Sequence, residues 1–194
     1  MFRMDIAEAV EAVGGRFGFV ATDANEAVRK LKLPRNSKIL DVGTGMGYMA
    51  ITLALNGYEV LTGEPETDES VYAKKDWLAN AKKVDVDHMI KFEPFNALDM
   101  PFEDGSFDAV FCLGTFHHID ELARPSALKE FVRVTKSKAV ICILEPSHQT
   151  ICKIRETDPS HPDAANPTEY LQDLDGVFRK IEGVSFDTYI IPKY

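Results

Sequence analysis

Residues 41–47, Asp-Val-Gly-Thr-Gly-Met-Gly, place three glycines at alternate positions where the short strand expected over 37–42 ends. A short strand that opens into such a loop brings bare backbone close to a ligand, and so ties the chain to an α/β arrangement with a site at a strand end. The dinucleotide fingerprint G-x-G-x-x-G needs a third glycine where this chain has Tyr48, whose side chain obstructs close helix–strand packing. A P-loop needs G-x-x-x-x-G-K-[ST], and no lysine stands nearby. Asp41, ahead of the first glycine, is unhelpful to a pyrophosphate and helpful to a ligand that carries an ammonium group.

The hydrophobic pattern extends the α/β reading along the chain. Helical spacing covers 4–13, stopped by Gly14 and Gly15, and a second helix starts from Thr22 or Asp23 and runs to Leu33. Further helices are expected over 48–56, 68–84, 126–135 and 168–181, with strands over 37–42, 58–63, 88–95, 107–114, 138–146 and 184–192. The runs 108–113 and 139–144 are almost wholly apolar, as central strands covered on both faces are. Strands alternating with helices predict a mostly parallel sheet, with chemistry just after Val42, Leu61, Leu113 and Leu144. The proline-studded stretch 146–167 reads as a long loop.

Composition removes several partner classes. A formal net charge of −9 speaks against a nucleic-acid backbone as main partner. Cys112, Cys142 and Cys152 are odd in number and form no C-x-x-C pair, so neither a disulfide framework nor a zinc site is expected, and they read as small hydrophobes. No apolar run approaches the ~20 residues of a membrane span, and the N-terminal stretch is amphipathic but acidic, unlike a secretory signal. The expectation is one cytoplasmic domain over 1–194 with no membrane partner.

At residues 41–47 the chain resembles the class I S-adenosylmethionine-dependent methyltransferases, whose first motif D/E-x-G-x-G-x-G is matched at every fixed position. The likeness runs in order from about 38 to 145 and is nearest to the ubiquinone and menaquinone biosynthesis type. It implies a three-layer Rossmann-like fold and S-adenosyl-L-methionine as cofactor. By position, Asp41 leads to the methionine amino group, Gly43, Gly45 and Gly47 wrap the methionine part, and Thr44 and Met46 line the loop. Glu64 is the ribose-binding acid at the end of the second strand, with Glu66 its rival. In "NALDMPFEDGSFDAVFC", Asp99 accepts from the adenine amine, Leu98 and Met100 flank the ring, and Asp108 is structural. Leu113, Gly114, Thr115 and Phe116 surround the reacting methyl. His117 and His118 orient the acceptor or act as base, with His148 a further candidate base. Two adjacent histidines do not point the same way from one strand and no third ligand is placed, so no metal is expected.

The chain also departs from the family. "RVTKSKA" replaces the usual "R-V-L-K-P-G-G", and only one closing antiparallel strand is visible where the family has two. The missing strand would expose a sheet edge, which an inward shift or a second copy of the chain, as a homodimer, would cover. Residues 1–22, with Phe17 and Phe19, and 146–167 form caps that choose the substrate. The expected function is methyl transfer to a small-molecule acceptor by in-line displacement. The alternatives are a non-methylating protein that binds the same cofactor and a nicotinamide-dependent oxidoreductase, the latter opposed by the glycine spacing and Asp99.

Overall fold

The structure is a computed structural model that describes residues 4–68, 73, 75–171 and 177–194. Its centre is β1 (Ile39–Val42), every residue of which is buried. Parallel partners flank it, β2 (Val60–Gly63) on one side and β4 (Phe107–Leu113) on the other. β3 (Ile90–Phe92) continues beyond β2, and β5 (Thr135–Pro146) lies parallel to β4. The sheet then closes with β7 (Phe186–Pro192) antiparallel to β5 and β6 (Arg179–Ile181) antiparallel to β7, giving seven strands in the order β3-β2-β1-β4-β5-β7-β6.

Two closing strands are therefore present, and the expectation of one is corrected. β6 has three residues, Arg-Lys-Ile, too few to show a period, and it falls inside the expected helix 168–181. Only the single 3-10 turn Pro167–Tyr170 is helical there, and 172–176 lie outside the described residues. The sequence-based case for a second copy rested on a missing strand, and with β6 in place that ground is gone.

Side-chain alternation on the central strands feeds two cores. Ala109 and Phe111 of β4, with Val140, Cys142 and Leu144 of β5, face the layer of α1 (Ile6–Val13), α2 (Phe17–Leu31) and α3 (Tyr48–Leu55). Val110 and Cys112, with Ile141 and Ile143, face α5 (Arg124–Val134). Cys112 and Cys142 are free and buried, and burial pushes the Cys142 thiol up, as small apolar fillers require. α4 (Trp77–Lys83) is shorter than the expected 68–84, and the Asp76 side chain caps it by accepting from the Ala79 N–H. Residues 69–72 and 74 of that span lie outside the described residues.

Two other expectations change, both for a polar reason. α2 begins at Phe17 rather than at Thr22 or Asp23. Asp23 does cap backbone, but not its own helix: its carboxylate accepts from the N–H groups of Val184, Ser185 and Phe186 at 3.2, 2.7 and 2.9 Å, pinning α2 to the β6–β7 hairpin. A Cβ at Gly183 would come within 2.8 Å of the Asp23 carboxyl carbon, so glycine is what lets the hairpin approach. The stretch 146–167, expected to be all loop, contains α6 (His148–Arg155), whose first turn is capped by Ser147 accepting from the Thr150 N–H. Replacing Asp23 with alanine strands buried N–H groups and is predicted to cost about 3 kcal/mol in urea denaturation, recovered only in part by Asp23→Asn, whose amide nitrogen cannot accept.

Candidate functional site

Beyond the carboxyl ends of β1, β2 and β4 lies a cavity of about 450 Å³. Its floor is the loop after β1. Asp41 is fully buried, and its Oδ2 accepts from the Thr62 hydroxyl at 2.8 Å. Thr62 has then used its proton, so the Thr44 hydroxyl, 3.0 Å away, donates to it. Asp41 Oδ1 is buried with no hydrogen-bond partner. Burial pushes the Asp41 carboxyl up to about 7, opposed by the Thr62 hydrogen bond and reinforced by the Glu64 charge. The loop itself runs through left-handed backbone at Gly43, Gly45 and Gly47. At Gly43 a Cβ would stand 2.1 Å from Thr115 Oγ1, so the loop after β1 and the loop after β4 touch only because glycine is there.

Glu64 directly follows β2, is nearly buried, and accepts from the Gly45 N–H at 2.9 Å. The expected residues Gly43, Thr44, Gly45, Met46, Glu64, Leu98, Leu113, Gly114, Thr115, His117 and His118 all line the cavity. Asp41 lies beneath the loop, and Gly47 caps the start of α3 rather than lining the wall. Glu66, the rival acid, is exposed and does not line it.

The structure does not bring the other expected residues to the cavity. Residues 96–99 form a tight turn in which Asn96 Oδ1 accepts from the Leu98 N–H at 2.9 Å and the Asn96 carbonyl accepts from the Asp99 N–H at 3.1 Å. That turn sets Asn96, Ala97 and Leu98 on the wall and leaves Asp99 exposed outside it. Met100 is buried in the core beside α5, its N–H donating to Glu130 Oε2 at 2.8 Å. Phe116 is fully buried between Phe131 and Tyr170. His148 is exposed on α6, with Cys152 Sγ 3.9 Å from its Nδ1, and is not a cavity residue. Asp108 is structural as expected, taking Lys38 N–H and Lys136 Nζ at 2.8 Å each.

The histidine pair sits on a 3-10 turn, Phe116–His118, not on a strand. There successive side chains are about 120° apart, so both rings reach one space, with centroids 4.2 Å apart. His117 is buried, and its Nδ1 lies 2.9 Å from Glu145 Oε2. Partial desolvation, then the neighbouring His117 and His161, push His118 down to about 3. Arg16, Asp68, Asn96 and Asp120 also line the cavity, as does His161 of the cap 146–167, and Glu145 orients His117; none of these is marked as a site residue by the sequence. Glu145 carried the signal that found Glu64, an acid at the end of a buried strand. His161 carried none, because it reaches the site from beyond α6.

The orphaned buried Asp41 oxygen, the glycine loop above it and Glu64 beside it fit a ligand with an ammonium group at one end and a diol at the other, as S-adenosylmethionine has. Among the described residues, no helix is long and apolar enough to cross a membrane. The chain is similar to 27-O-demethylrifamycin SV methyltransferase of Amycolatopsis mediterranei, 32% identical over 106 residues that make 55% of this chain and 37% of that protein. It is also similar to O-methyltransferase rstn1 of Aspergillus nomiae, 30% identical over 65% of this chain and 55% of that one. Ajmaline N-methyltransferase of Rauvolfia serpentina is 32% identical over 62% of this chain and 39% of its own. The chain thus spans between about a third and about half of the length of these relatives. Two solved structures share the fold. A SAM-dependent methyltransferase from Aquifex aeolicus aligns with TM-score 0.66 at 18% identity, over 99% of this chain and 100% of that one. The YcgJ protein from Bacillus subtilis aligns with TM-score 0.64 at 19% identity, over 82% and 70%. A methyltransferase-domain family model matches residues 40–143, more than half of the chain, and the chain belongs to that family.

Proposed function

We propose that this chain binds S-adenosylmethionine and passes its methyl group to a small-molecule acceptor by in-line displacement. The carrying observation is the buried Asp41 oxygen without a partner, set under a glycine loop whose neighbour Glu64 ends the next strand. When bound, the sulfonium supplies an electrophilic methyl group whose departure leaves a neutral thioether.

The chain's own residues hold and orient. Asp41 takes the ammonium group through the loop backbone, and Glu64 exchanges its Gly45 contact for the ribose hydroxyls. Arg16, which lines the same end beside Tyr48, is placed to meet the methionine carboxylate. Asn96 and Leu98 take the adenine end in place of Asp99 and Met100. Leu113, Gly114 and Thr115 border the transfer point, and Ile119, Ile154 and Phe186 give the acceptor end apolar walls that exclude water. His117, steadied by Glu145, accepts the proton of a hydroxyl or amine acceptor. Relatives named as O- and N-methyltransferases support an acceptor of that kind. No observation favours the nicotinamide alternative.

Methyl transfer is tested by following conversion of S-adenosylmethionine to S-adenosylhomocysteine over a panel of apolar phenols and secondary amines. Acceptor-dependent turnover supports the reading, and none across the panel counts against it. In calorimetric titration with S-adenosylhomocysteine, Glu64→Ala is predicted to weaken binding about tenfold or more. Asp99→Ala should leave affinity within about twofold, as an exposed substitution does.

Asp41 adds a pH signature. Its folded pKa of about 7 lies above the ordinary aspartate value of 3.8. The folded state therefore binds the extra proton, and the destabilisation is absent below about 4, grows as pH rises, and is complete above about 7. Asp41→Asn is expected to stabilise the ligand-free chain more at pH ~8 than at pH ~4. A bound ammonium favours the carboxylate, so binding near neutral pH should release a proton, seen as a dependence of binding heat on buffer ionisation enthalpy. Buffer-independent heat would show that Asp41 does not meet the ligand's charge.

A further inference from the structure

The geometry points to a divalent transition-metal site formed by His117, His118 and His161 at the acceptor end of the cavity. One ring nitrogen from each histidine lies within 4.8 Å of one from each of the others. The ring centroids are 4.2, 5.1 and 5.0 Å apart for the three pairs. All three side chains line the cavity.

Hydrogen bonds behind the rings set them up as ligands. Glu145 Oε2 holds the His117 Nδ1 proton at 2.9 Å, which leaves the lone pair on Nε2. That Nε2 is buried and has no hydrogen-bond partner. His161 Nδ1 donates to the Pro162 carbonyl at 2.9 Å, which places its lone pair on Nε2 as well. Carboxylate- and carbonyl-backed imidazoles are the usual ligands of zinc-like cations. Glu145 also accepts from the Ala165 N–H at 2.9 Å, so one carboxylate fixes His117 and anchors the segment that carries His161. Arg155 braces that segment further, donating to the His161 carbonyl and pairing with Asp163.

His117 Nε2, buried and without a hydrogen-bond partner, is the nitrogen that a cation held by the three rings would satisfy.

Three imidazoles suit zinc, cobalt or nickel and leave a fourth position open toward the cavity, as catalytic sites of this kind do. An acceptor hydroxyl bound there would be acidified by the cation and give up its proton to water at the cavity mouth, because the cation then occupies His117 Nε2. This last role rests on the methyl-transfer reading, whereas metal binding itself does not. The other candidate group, Asp85, Asp87 and His88, is largely exposed and serves as an internal comparison.

The test is a cobalt(II) titration of chelator-stripped protein, followed by visible absorption, with zinc competition. One equivalent with d–d bands is expected, displaced by zinc. His118→Ala, at an exposed ligand, and His161→Ala should each lose at least about tenfold in cobalt affinity, with folding verified by thermal melting. The same binding in both variants, or no cobalt spectrum in the parent at micromolar protein, would overturn the site. The titration contains no S-adenosyl ligand, so failure of the methyl-transfer reading leaves its result standing.

Discussion

The site depends on a carboxylate kept dry. Asp41 stands one residue from the end of the central strand with no exposed surface, and one of its oxygens is satisfied only through Thr62. Burial of this kind is costly unless the charge is later met, and here it lifts the carboxyl to about 7. Much else is arranged around that group. Thr62 and Thr44 link the ends of β2 and β1 through hydroxyls, Glu64 fastens the glycine loop by the Gly45 N–H, and Gly43 lets Thr115 approach from β4. Three strand ends are thus locked into one floor before any ligand arrives, the preorganisation that tight orientation of a bound ligand needs.

The glycine-loop end of the cavity was legible because its signals are local. Glycines at alternate positions, an acid before them and an acid after the next strand are fixed by a few residues of backbone, and the structure gathers Gly43, Gly45 and Glu64 at the cavity with Asp41 beneath the loop. Asp99 falls outside the cavity because a turn decides which of 96–99 faces inward, and the Asn96 side chain closes that turn in a way spacing does not reveal. β6 was invisible for a different reason, since three residues carry no period. α6 was masked by prolines at 146 and 159 that lie just outside its ends.

The histidine end of the cavity was the least legible, because it is made by contacts between distant segments. A rule drawn from strands kept His117 and His118 apart, yet a 3-10 turn places them together. Glu145 and Ala165 then draw in a segment beyond α6, and His161 with it. The two ends of one cavity thus differ in origin. The glycine-loop end follows from the sheet, and the histidine end follows from what is laid over it, which is where members of one fold diverge.

The most direct measurement of the central claim, that the loop over Asp41 holds a sulfonium cofactor rather than a dinucleotide, is a thermal-shift comparison of S-adenosylmethionine, S-adenosylhomocysteine and NAD. A ligand that binds only the folded chain raises its melting temperature by mass action. The account predicts a rise with both sulfur nucleosides and none with NAD. A rise with NAD and none with either sulfur nucleoside would contradict it.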